Sequence, residues 1–199
     1  MVSCTSPDVV SDVGDGESFD GSAADTEVGG DAGAEPDTGA ADTEGLDVRA
    51  PTSAECQLRA CPEALDVEPG PPVSFRRDLL PTLQRNCADN PCHGRAAEPF
   101  LGPSLPTTPD ASEILAHIVG IPSETVPSML LVEPGAPAES FLIVKVEGCQ
   151  DALELECTPQ PGSTTSSACG GVMPLASRPI CDLDRELLRR WVLQGALDN

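Results

Sequence analysis

Nine cysteines, set against four phenylalanines, one tryptophan and no tyrosine, dictate how this chain must hold itself together. A small domain with so little aromatic bulk buries modest apolar area and leans on covalent cross-links. Cytosolic thiols are kept reduced, so a cysteine-rich chain without repeated zinc-ligand spacing belongs in an oxidising compartment. The expectation is an exported protein of the periplasm, the outer membrane or the cell surface. No run approaches the ~20 apolar residues that span a bilayer, and no secretory hydrophobic region stands out. Met1-Val2-Ser3-Cys4-Thr5 reads as the remnant of a lipoprotein signal, with Cys4 acylated and membrane contact made only through that anchor. A stray cysteine near an unstructured end is the other reading.

Charge divides the chain. Residues 1–50 hold 13 acidic residues and one arginine, and so carry −12 of the formal −22. That balance argues against nucleic acid and against anionic membrane surfaces as partners. Residues 1–52, built from Asp, Glu, Gly, Ala, Ser and Thr, cannot bury enough apolar surface to offset their ordering entropy and read as a disordered acidic tether. Residues 53–71 form a Cys/Pro-rich junction closed by Pro69-Gly70-Pro71-Pro72, and residues 72–199 form the folded domain.

Within that domain Ser74 caps a helix over Phe75–Gln84, where Phe75, Leu79 and Leu83 make one apolar stripe and Pro81 forces a bend. Gly94–Asp110 is loop, and Ala111–Val119 is a short helix in which His117 takes a polar or half-buried position. Ser140–Val146 is an apolar run that could be strand by propensity, but the preceding Pro134-Gly135-Ala136-Pro137 turn and the helical context favour a helix. The last helix is capped by Asp182, buries Leu183, Leu187, Leu188, Trp191 and Val192, turns Arg185, Arg189 and Arg190 outward, and stops at Gly195. The first and last helices are expected to cross, burying Phe75, Leu79, Leu188 and Trp191.

Chemistry concentrates in Asn86-Cys87-Ala88-Asp89-Asn90-Pro91-Cys92-His93-Gly94. Two cysteines followed at once by histidine is the arrangement that attaches haem: the thiols add to the two vinyl groups, and the imidazole is held under the iron. Four residues separate the cysteines, where two is usual, so the loop must bulge while its ends still reach. Asp89-Asn90-Pro91 is turn chemistry suited to that bulge. The competing reading joins Cys87 to Cys92 in a short disulfide beside an ordinary surface histidine. No Ser-His-Asp or Cys-His nucleophile set, phosphate-binding glycine loop or paired C-x2-C zinc spacing competes.

Val73-Ser74-Phe75-Arg76-Arg77-Asp78-Leu79-Leu80-Pro81 ahead of the cysteines, the Val132–Gly148 segment, and Cys169-Gly170-Gly171-Val172-Met173-Pro174-Leu175 followed by Leu187–Ala196 occur in one order. Together they resemble a class I c-type cytochrome domain family of exported myxobacterial and planctomycete (lipo)proteins. The resemblance covers residues 72–197. It implies an all-α, class I cytochrome c-like helical domain with long disulfide-stapled loops, one covalent haem c on Cys87 and Cys92, and iron held between His93 and Met173. With both axial positions filled, the implied role is a monomeric electron carrier serving a redox partner protein rather than a catalyst. Lipid on Cys4 and haem on Cys87 and Cys92 would leave six cysteines with fifteen possible pairings. Cys56–Cys61 is the expected local pair, with Cys149, Cys157, Cys169 and Cys181 pairing among themselves. The alternative function is a non-haem, disulfide-stapled lipoprotein that acts as a structural or interaction module on a degenerate cytochrome fold.

Overall fold

The computed structural model of the protein describes residues 56–88, 92–94, 99–103, 107–158, 167–175 and 178–199. The acidic tether over 1–52 and the acylation of Cys4 lie outside these residues. The described part is helical, with short 3-10 turns and isolated β-bridges but no strand among its residues.

The chain enters its first helical segment through Ser74, whose Oγ accepts from the Arg77 N–H while its own N–H donates to Asp78 Oδ2 at 2.8 Å. This reciprocal cap satisfies donors that the first turn leaves open. Phe75–Leu79 then forms a π-helical turn, and α1 follows over Leu80–Asn86. Pro81 explains the join. It has no N–H for the Arg77 carbonyl, and the Leu80 N–H reaches back to Phe75 O instead, widening the turn. Pro81 itself sits in the first turn of α1, where a donor would be unpaired anyway.

α2, Ala111–Ile118, starts at Asp110, whose side chain accepts from the Ser112 N–H, and buries Ala111, Ile114, Leu115 and Ile118. α3, Phe141–Glu147, is the central element: Phe141, Ile143, Val144, Lys145, Val146 and Glu147 are all buried. Gly148 ends α3 with φ +71°, and a Cβ there would lie 2.9 Å from Leu58 Cδ1, so the position suits glycine on both counts. α4 runs Asp182–Leu193 and packs on α3 and on the π-turn. The crossing of the first and last helical segments is as expected. Phe75 and Trp191 stack at 5.1 Å between centroids, and Leu79 and Leu188 are buried beside them. Asn199 closes the junction by accepting from the Phe75 and Arg76 N–H groups and donating to Val73 O.

Two expectations for α4 are corrected. Cys181, not Asp182, is the residue before the helix, and it makes no side-chain cap; Asp182 is the first helical residue and its carboxylate turns to Arg185 at 3.3 Å. Arg185 and Arg189 face inward, with 0 % and 2 % of their surface exposed, while Leu183 is 70 % exposed. Their target is Glu147 at the end of α3. Arg185 Nε lies 3.1 Å from Glu147 Oε2, and Arg189 pairs with Oε1. A buried carboxylate demands a counter-charge, and two guanidiniums spaced i, i+4 supply it from one helix face. Burial pushes Glu147 up, against the pull of both arginines, and lowers Arg189. Only Arg190 keeps part of the outward role, half-buried and paired with Glu186.

Among the disulfides, Cys157–Cys169 falls within the expected group, and the other two described pairs differ from expectation. Cys56 is joined to Cys181, Cys61 to Cys149, and Cys157 to Cys169. A Cys56–Cys61 pair does not form: each sulfur is taken by a distant cysteine, one at the start of α4 and one just past α3. The three disulfides between described residues fit a non-cytosolic compartment, and among the described residues no helix is long and apolar enough to cross a membrane.

Candidate functional site

Cys87 is the C-cap of α1, its N–H bonded to Leu83 O at 2.8 Å. The chain leaves the helix there and returns at His93, whose N–H donates to Cys87 O at 3.1 Å. One main-chain bond therefore closes the loop between the cysteines and brings its ends together, as four intervening residues require. Residues 89–91, where the bulge is expected, lie outside the described residues. Cys87 and Cys92 are not bonded to each other. Cys87 is a free thiol, whereas Cys92 is disulfide-bonded. The short-disulfide alternative is thereby corrected. Burial pushes the Cys87 thiol up to about 12, so it keeps its proton and is a poor nucleophile at neutral pH.

His93 is fixed three ways. Beyond its bond to Cys87, its carbonyl accepts the Leu101 N–H at 2.9 Å, and Nδ1 lies 2.9 Å from Pro99 O. A carbonyl can only accept, so Nδ1 carries the proton and the imidazole lone pair sits on Nε2. That is the tautomer a metal-binding histidine needs, oriented by a main-chain acceptor in the manner of outer-shell support. The next residue, Phe100, is buried and meets His117 edge-on at 5.5 Å, so His117 is a half-buried packing residue on α2.

Met173 is carried by a different part of the chain. It is partly buried against the core, and its N–H donates to Lys145 O at 3.0 Å. Lys145 also spends its ammonium on this loop, donating to Cys169 O at 2.8 Å and to Gly171 O. Burial lowers Lys145 to about 8, with the nearby Asp151 charge acting the other way, so it remains protonated at neutral pH. The Cys157–Cys169 disulfide and a bond from Gln150 Nε2 to Gly170 O hold the same segment. The structure thus groups Cys87, Cys92 and His93 in one closed loop and sets Met173 on a second, α3-anchored loop. Among the described residues no cluster of three or more His, Cys, Asp or Glu side chains forms a metal site.

Of the four residues, His93, with its lone pair on Nε2, and the free thiol of Cys87 suit a covalent haem, whereas Cys92, disulfide-bonded, does not, and Met173 stands on a separate loop. A cavity of about 420 Å³, lined by Met129, Leu130, Glu133, Glu139, Leu153 and Leu155 among others, includes none of the four.

Sequence reasoning missed three contributors: the Pro99 carbonyl, the Lys145 ammonium and the Glu147 ion cluster. Only Lys145 carries a signal in the sequence, as the single lysine, set inside an apolar run. No protein-family model, no curated protein and no solved structure matches this chain.

Proposed function

We propose that the chain is a mono-haem c-type cytochrome that carries single electrons outside the cytosol, its helices arranged as a class I cytochrome c-like domain. The observation that supports this best is the Nδ1 bond of His93 to Pro99 O at 2.9 Å, because it prepares Nε2 for iron directly beside the cysteine pair. Cys87 and Cys92 are the attachment residues, His93 the proximal ligand and Met173 the distal one. Haem, when bound, supplies one-electron exchange between the ferric and ferrous states. The chain's own work is to close the Cys87–His93 loop, orient the imidazole and present a thioether from a tied loop. Two filled axial positions leave no place for a substrate, which favours transfer to a redox partner protein over catalysis.

A second reading has one observation in its favour. Cys92 is disulfide-bonded, and a non-haem, disulfide-stapled lipoprotein serving as a structural or interaction module keeps it so. Voltammetry of Met173→Ala tests the first reading's ligand set. Loss of the thioether is expected to lower the reduction potential by on the order of 0.1 V while haem stays covalently attached. An unchanged potential would remove Met173 from the iron.

A further inference from the structure

We propose that the groove lined by Met129, Leu130, Leu153 and Leu155 docks a basic, aliphatic segment of another protein. The inference involves no haem and stands beside either reading of the Cys87–His93 loop. Met129, Leu153 and Leu155 rest against the core on one side and are only partly buried, so a partner's apolar side chain would remove further surface from water. At about 420 Å³ the groove is near the low end of the ~300–1,000 Å³ of ligand pockets, a size for side chains of a peptide. Its walls are tied in place. Leu130 O accepts the Phe141 N–H at 2.9 Å, Met129 O accepts the Ser123 N–H at 2.9 Å, and Thr125 O accepts the Thr158 N–H at 2.8 Å. Disulfides at Cys149 and Cys157 bracket the segment that carries Leu153 and Leu155. A wall fixed in advance adds little ordering cost to docking.

Charge decides what fits there. Glu133 and Glu139 also line the groove, and neither carboxylate has an ion pair among the described residues. Residues 121–158 hold seven acidic residues and one lysine, Lys145, which is buried; every arginine lies elsewhere in the sequence. Beside the groove the chain alternates, with Leu153, Leu155 and Cys157 half-buried and Glu154 and Glu156 exposed. An apolar wall edged by carboxylates, with no exposed cation in the same stretch, is complementary to aliphatic side chains flanked by lysine or arginine. The chain cannot supply that occupant itself. Residues 1–50 carry −12 and the whole chain −22, so like charge repels both its own leader and a second copy. In the proposed complex the apolar contact holds the partner, while Glu133 and Glu139 select for its charge and speed its arrival.

The test titrates the full, oxidised chain with a short amidated peptide of leucine and lysine in equal numbers. Two counterparts replace its leucines by serine or its lysines by glutamate. Calorimetry reads affinity and amide chemical shifts read the place of binding. The leucine–lysine peptide is expected to bind and to shift amides of residues 128–139 and 153–155, while both counterparts bind at least ~10-fold more weakly. The double variant Glu133→Gln/Glu139→Gln should weaken binding about 5-fold, and Leu155→Ser about 10-fold. Glu63→Gln/Glu113→Gln removes the same charge from exposed positions outside the groove and should leave affinity unchanged. An absence of binding would overturn the proposal, as would wild-type affinity in the Glu133→Gln/Glu139→Gln variant. Equal weakening by the two double variants, or equal binding of the serine peptide, would also overturn it, because the attraction would then be net charge alone. Leu155 touches the core, so if its variant does not fold, the glutamine pairs and the serine peptide still decide. A haem stain has no bearing on these outcomes, so the cytochrome reading and this one fail separately.

Discussion

Glu147→Ala is expected to lose ~3–5 kcal/mol of folding stability, the cost of stripping one partner from a buried ion cluster. The carboxylate is fully buried between α3 and α4 and faces Arg185 Nε at 3.1 Å and Arg189. Without it, Arg189 retains only Asp182, 3.9 Å away and partly in solvent. Arg185 keeps hydrogen bonds to Ile180 O at 2.5 Å and Gln57 O at 2.7 Å, so its charge stays trapped in the core rather than swinging out. A domain of this size has ~5–15 kcal/mol in total, so the variant would sit close to unfolding. Arg185→Ala should cost as much, since it also orphans those two carbonyls. Urea unfolding under non-reducing conditions measures both, and a loss below ~1 kcal/mol would show that the cluster behaves as an exposed salt bridge does.

The second large effect concerns the Cys56–Cys181 cross-link. Its sequence separation of 125 suggests a loop-closure contribution of about 5 kcal/mol. Cys61–Cys149, however, already joins nearby points. The ring that Cys56–Cys181 closes, given that bridge and Cys157–Cys169, runs through about 28 residues, which reduces the expected contribution to about 4 kcal/mol. Replacing both cysteines by serine should therefore lower stability by about 4 kcal/mol in the presence of Cys61–Cys149, and by more once that bridge is also removed. Two independent, equal losses would contradict the nested arrangement. A fall close to zero would mean that the segment around Cys56 stays docked through Arg185 and Gln57 alone.

Periodicity carried the helices well. The stripe of Phe75, Leu79 and Leu83 and the cap at Ser74 lie in helical turns because each signal is local, and the apolar run at Phe141–Val146, strand-compatible by propensity, is helical as its context implied. What periodicity does not carry is a partner from another element. Arg185 and Arg189 read as solvent-facing because charged residues on a helix usually are, and the carboxylate that reverses this sits some forty residues earlier, at Glu147. Two disulfides escaped for the same reason: Cys56 and Cys61 are neighbours in sequence, yet each pairs with a cysteine about 90 or more residues away, whereas Cys157–Cys169 falls within the expected group. At the candidate site the C-x4-C-H spacing marks the loop, while the groups that orient it, the Pro99 carbonyl and the Lys145 ammonium, act through tertiary contacts that no motif encodes.

The most direct measurement is a haem stain on a denaturing gel, backed by a pyridine haemochrome spectrum, of the chain exported in a host with c-type maturation genes. The account predicts a stained band, a c-type spectrum, one haem per chain and no alkylation of Cys87 after denaturation. An unstained, oxidised and soluble protein in which denaturation exposes Cys87 to alkylation would contradict it. The chain would then be a disulfide-stapled structural or interaction module.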